Sequence, residues 1–159
     1  MVNLINSMVD KIKVDVWGDM FVIAEITDGQ ITGNPGPGDP APVVGPDIQA
    51  GPSGLILTSR IGSGFEHFVR YELWDTWPDP LETWDELWTG ELGIASGTIA
   101  IAEWASFEPK EFPAFDVGEK GLSWSARVLT KVMSNTEEPD FPDDIYKIQL
   151  YRLQLWRKL

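Results

Sequence analysis

The sequence predicts a mostly β protein, an antiparallel β-sandwich with one short helix, and three observations lead there. Runs rich in β-branched and aromatic residues recur between Gly, Pro and Asp punctuation. The first long run alternates apolar and polar residues with the period of two that a half-buried strand shows. Only one internal segment carries the start, stripe and stop signals of a helix.

Residues 1–10 place Val2, Ile5 and Val9 at loosely helical spacing, which predicts a frayed arm or a docked turn of helix. In 13–26, KVDVWGDMFVIAEI, the residues Val14, Val16, Met20, Val22, Ala24 and Ile26 share one parity and predict the first strand, half-buried. Residues 31–54 hold six of the twelve prolines and six of the fifteen glycines, a composition that opposes helix and central strand alike. A loop of that length predicts a functional arm or an excursion packed across the surface.

Further strands are predicted at 55–61, 67–75, 98–104, 122–132 and 145–156. RIGSGF, residues 60–65, reads as a tight hairpin connection, its glycines supplying positive φ. In DIYKIQLYRLQLW the apolar parity changes at Leu150 and Tyr151, which predicts a bulge there or a strand buried on both faces.

The helix is predicted over about 80–89. Asp79 precedes Pro80, a residue suited to the first helical position, and Glu82 follows Asp79 by three in a capping-box-like arrangement. Leu81, Trp84, Leu87 and Trp88 form the apolar stripe, Glu82, Asp85 and Glu86 face water, and Gly90 supplies the stop.

A chain of 159 residues without Cys has the length of one domain, 1–159, able to bury a core without disulfides. Cysteine-free composition fits a reducing, cytoplasmic location and equally a Cys-free secreted protein. The start MVNLINSMVDKIK lacks the features of a signal peptide, and Gly, Pro or charge interrupts every apolar run short of the roughly 20 residues that span a bilayer. No membrane association is expected. With 25 acidic and 12 basic side chains the net charge is −13, a field that repels phosphate backbones and speeds encounter with a basic protein. Direct nucleic-acid binding is therefore not expected.

Candidate chemistry is sparse. The lone histidine, His67, is expected at an edge or surface, without a nucleophile marked nearby, since Ser59 and Ser63 lack a nucleophile-elbow pattern. GNPGPG cannot cradle phosphate, because each proline removes an amide donor. No catalytic residue, metal site or cofactor is expected. From Tyr71 to Pro109 there is no Lys or Arg, and Trp74, Trp77, Trp84 and Trp88 stand among carboxylates. Trp84, Trp88 and Trp124 read as core, Trp124 sharing parity with Leu122, Ala126 and Val128. Trp77, between Thr76 and Pro78, has no periodic reason to be inside and is the exposed-anchor candidate, or else a staple packed back on the chain.

From about residue 65 to 156 the order of features resembles the competence protein J family, which includes the bacterial nuclease inhibitor of the DNA-uptake machinery. The matching text is HFVRYELWD, then WPDPLETWDEL closed by a Gly, IASGTIAI, FDVGEKGLSWSARV, and FPDDIYKIQLYRLQLW. The first strand region and the 31–54 loop lie outside it. The resemblance implies a small β-sandwich without enzymatic residues that blocks a nuclease by protein contact.

Together these readings predict a non-enzymatic domain that binds a basic protein, such as a nuclease or toxin, through Trp77, Asp79, Glu82, Asp85 and Glu86. Trp77 would be the apolar anchor and the acids the steering and pairing groups. Two other classes fit the same residues: a carbohydrate- or calcium-binding β module, and a structural subunit of an assembly.

Overall fold

The computed structural model describes residues 1–12, 14, 18–39, 47–104, 114–135, 140–142 and 145–157, and the backbone of 43–44. Among these, twelve strands follow in chain order: β1 (Leu4–Ile12), β2 (Met20–Thr27), β3 (Gln30–Ile31), β4 (Val43–Val44), β5 (Ile48–Ala50), β6 (Gly54–Thr58), β7 (Glu66–Trp74), β8 (Asp85–Ile94), β9 (Thr98–Glu103), β10 (Phe115–Asp116), β11 (Leu122–Ser134) and β12 (Lys147–Arg157). One sheet has the order β1-β7-β12-β11-β8, and the other β10-β9-β2-β6-β5-β4, with β3 on β2. Their inner faces pack into a shared core, a β-sandwich as predicted. Phe21 of β2 meets Tyr151 of β12 edge-on at 5.2 Å, and Phe115 of β10 stacks on Tyr71 of β7 at 5.1 Å, so aromatic pairs join the sheets. Among the described residues no helix is long and apolar enough to cross a membrane.

β2 lies between β9 and β6 and is buried on both faces rather than one. Phe21 and Ile23 point into the main core, while Val22 and Ala24 join Ile56 in a second cluster backed by Met20, Ile31 and Trp104. The alternation in the sequence therefore marks the smaller, outer cluster. The strand begins at Met20, after Gly18 and Asp19 turn the chain at positive φ; Lys13 and residues 15–17 lie outside the described set.

The N-terminal segment is neither a frayed arm nor a helical turn. β1 pairs antiparallel with β7 from Leu4 against Trp74 to Ile12 against His67. Its inward positions include the buried carboxylate Asp10 and its outward ones leave Val9 exposed, so polarity alone hides the period of two. RIGSGF is likewise no hairpin: it carries the chain from β6 in one sheet to β7 in the other. β12 keeps an unbroken register with both β11 and β7, so no bulge occurs at Leu150 and Tyr151; the strand is covered on both faces.

Within the 31–54 segment the described residues continue the second sheet, β5 and β4 extending it beyond β6. Pro35 is wedged against this extension. A Cβ on Gly54 would fall 2.1 Å from the Pro35 carbonyl oxygen, and one on Gly51 2.3 Å from Pro35 Cδ. Gly54→Ala should consequently cost about 1–3 kcal/mol, the usual range for overpacking, read as a lower denaturant midpoint with an unchanged slope.

Candidate functional site

The sequence-predicted residues lie on the segment that joins β7 to β8. β7 is parallel to β12, β12 antiparallel to β11, and β11 antiparallel to β8, so β7 and β8 run the same way with two strands between them. Parallel strands need a crossover. Trp74 sits in the row of Trp156, Ser125 and Glu91, whereas Asp85 enters in the row of Thr130, Tyr151 and Val69, five residues lower. Three strand spacings and five residues of rise put the ends roughly 22 Å apart. A helix over the 75–84 span would reach only about 15 Å, whereas extended chain reaches about 33 Å. Residues 75–84 therefore cross the outer face of the five-stranded sheet as a strap without helix, closed by one turn in which the Trp84 amide donates to the Leu81 carbonyl at 3.1 Å.

The predicted helix is thus absent, and its signals have other causes. Residues 85–94 are a strand, and Leu87 is the extra residue of a bulge, since Val128 opposes Trp88 and Leu129 opposes Glu86. The bulge sets the adjacent Leu87 and Trp88 both against the core, a pairing that in sequence imitates a helical stripe. Gly90 is not a stop: the Trp88 ring lies where a Cβ of residue 90 would be, 2.3 Å from its Cζ2.

What fastens the strap is a layer of charge and aromatic rings. Arg127, buried on β11, donates to the Pro78 carbonyl at 3.0 Å and the Asp79 carbonyl at 3.3 Å, and its Nε donates to Gln154 at 2.8 Å. Trp77 stacks on Trp156 with ring centres 6.1 Å apart. Arg152 lies 4.7 Å over the Trp84 ring, so Trp84 covers the outer face and does not enter the core.

Beneath the strap Arg70 and Arg152 stand directly opposite each other on β7 and β12. Glu72, 1% exposed, lies between them. It accepts from Arg70 Nε at 2.7 Å, Arg152 Nη1 at 2.5 Å, Gln154 Nε2 at 2.8 Å and Trp74 Nε1 at 3.2 Å. Burial pushes its pKa up, but these donors and the Arg152 charge outweigh burial and hold it below the ordinary carboxylate value.

Of the five predicted residues, Trp77, Asp79 and Glu82 lie on the strap, and Asp85 and Glu86 open β8. Trp77 is 62% exposed at the Trp156 end. Asp79 and Glu82 are exposed along the crossing. Asp85 lies at the far end, where it receives Arg60 Nη1 at 2.7 Å while Asp47 holds the rest of that guanidinium. Its charge is already used to fasten β8 to the turn after β6. Glu86 accepts from the Thr89 hydroxyl at 2.9 Å.

His67 is buried, not at the surface, and it has a serine partner that no local pattern announces. Nδ1 faces the Phe65 carbonyl at 2.9 Å, which leaves Nε2 to accept from the Ser59 hydroxyl at 2.6 Å. Burial lowers the His67 pKa and keeps the ring neutral. Ser59 Oγ also accepts the amides of Ile61 and Gly62 at 3.1 and 2.9 Å, so its lone pairs are spent on the turn between the sheets rather than presented to a substrate. Among the described residues no group of three or more His, Cys, Asp or Glu is placed to hold a metal ion.

No family model matches the chain, and no curated protein is similar to it in sequence. Its fold is similar to the crystal structure of ComJ from Bacillus subtilis, an inhibitor of the DNA-degrading activity of NucA. The TM-score is 0.55 over 99% of this chain and 99% of that one, at 10% sequence identity. At that identity the likeness is one of fold. The likeness spans the region before residue 65 as well, which the sequence resemblance leaves outside.

Glu72→Gln would leave Arg70 and Arg152 facing each other without a counter-charge, an expected loss of about 3 kcal/mol at neutral pH in chemical unfolding. Because the folded pKa is depressed, this stability is present above the unfolded carboxylate value of about 4.3 and disappears as pH falls through the folded value. The gap between parent and variant should accordingly close on acidification below pH ~4.

Proposed function

We propose that this chain is a non-enzymatic inhibitor that binds and masks a basic protein, such as a nuclease, through the strap and its neighbours. The observation that carries the reading is the likeness of fold to ComJ over the length of both chains. Charge supports it independently, since a chain of net −13 can occupy a surface shaped to attract polyanions. Trp77 serves as the apolar anchor, rigid because Trp156 backs it, and Asp79, Glu82 and Glu86 steer the approach. Asp85 contributes its charge at the edge of this surface while tied to Arg60.

The test is DNA cleavage by a panel of cationic nucleases titrated with the purified chain, with cationic non-nucleases as binding controls. Stoichiometric inhibition of at least one nuclease is expected, and an unaffected panel would refute the reading. Reversing charge at Asp79, Glu82 and Glu86, which spares the Asp85–Arg60 pair, should slow association about tenfold at low salt and flatten its salt dependence. Trp77→Ala should act differently, leaving the association rate nearly intact and raising the dissociation rate by about tenfold or more, as stopped-flow measurements would resolve.

A further inference from the structure

At one end of the sandwich, beside the start of the strap, a cleft of about 490 Å³ opens between β1, the end of β7 and the β10–β11 connection. Its size lies within the range of sites that hold a small ligand or an inserted side chain. The walls are apolar: Leu73, Val117 and Trp124 are buried and Trp74 and Ile5 complete them, Ile5 being 61% exposed. The rim is acidic. Asp75, Asp116 and Glu119 line it against a single cation, Arg157, which pairs with Glu119. These carboxylates are held in place beforehand. Asp75 receives both the backbone amide and the side-chain amide of Asn3 at 2.9 Å, which lowers its pKa, and Asp116 receives the Gly118 amide at 2.7 Å.

A second feature of the cleft is independent of its charge. Trp124 lines it, is 3% exposed, and its Nε1 is buried without a hydrogen-bond acceptor. Its ring nevertheless lines the cleft, so its indole signal reports on an occupant. The cleft thus offers an apolar bed and an excess of two negative charges among its lining side chains. Lysine and arginine meet both requirements, since they bury an alkyl stem while the charged head stays at the polar edge.

We propose that this cleft is a socket for a lysine or arginine side chain of a basic protein partner. The inference rests on the inhibitor reading for the partner's class and adds where that partner is gripped. Chain order supports it: Asp75 in the cleft wall stands two residues before Trp77, the anchor of the proposed inhibitor surface.

The experiment uses the full chain and needs no partner. n-Butylguanidinium chloride, which carries an arginine head on an apolar stem, is titrated while the indole N–H signals are followed by NMR. The signals of Trp74 and Trp124 should shift saturably with one dissociation constant on the order of millimolar, as befits a fragment, while those of Trp84 and Trp104 stay still. Sodium butyrate, with the opposite charge, should leave all four unmoved. The double substitution Asp116→Asn with Glu119→Gln changes two exposed residues and should weaken the fragment about fivefold or more without altering the melting temperature appreciably. If it lowers the melting temperature, Asp75→Asn provides the same comparison at another point of the rim. No saturable shift, or equal affinity in these variants, would overturn the socket whatever the nuclease panel shows. Fragment binding alongside an uninhibited panel would uphold the socket and refute only the inhibitor reading.

Discussion

The parallel pairing of β12 with β7, in a protein whose other strand pairs are antiparallel among the described residues, governs most of what is particular about this molecule. Parallel neighbours cannot be joined by a hairpin. With β12 last in the chain and β7 in its middle, the pair is closed by residues some eighty positions apart. β7 must then hand the chain to β8 across the two strands that lie between them. The strap is the direct result, and its length is too short to make the crossing as a helix.

The same pairing fixes the chemistry under the strap. It sets Arg70 against Arg152 with nothing between their strands. Like charges directly opposite in a sheet repel, and Glu72 two residues on resolves the conflict by accepting from both. A buried ion pair of this kind adds little net stability compared with apolar packing, because desolvation offsets most of the Coulombic gain. Its effect is instead on geometry. Arg127 and Gln154 extend the network to two strap carbonyls, so the path of residues 78 and 79 is dictated by hydrogen bonds rather than by a greasy contact that could slide. Trp77 is thereby presented outward on a fixed base.

The two ends of the sandwich have divided roles. Where β6 passes to β7, Ser59, His67, Gln149 and the Arg60 pairings with Asp47 and Asp85 knit the connection between the sheets. At the other end, around Trp124, a buried donor is left without a partner and the carboxylates turn outward around an apolar hollow. The first arrangement spends its polar groups on the fold. The second ties its carboxylates to Asn3, Gly118 and Arg157 yet leaves them exposed.

Read from the chain alone, the sandwich and the positions of β6, β7, β9, β11 and β12 were legible, because β-branched and aromatic runs between turn residues are local properties. Local pattern also places Trp124 inside, but it leaves Trp77 open between an exposed anchor and a staple, and the residue is both exposed and stacked on Trp156. Sheet membership was not legible: RIGSGF looks the same whether it closes a hairpin or passes between sheets, and β1 was hidden because Asp10 occupies an inward position. The helix was misread for a related reason, since a bulge at Leu87 and prolines at 78 and 80 reproduce helical spacing and capping without helical geometry. Preference for extended chain and a strong negative charge follow from composition and local order, because both are sums over neighbours or over the whole chain. The enclosure of Glu72 by two arginines, the pairing of Asp85 with Arg60 and the place of Trp124 beside a cleft come from folding, because each needs segments distant in sequence to be brought together.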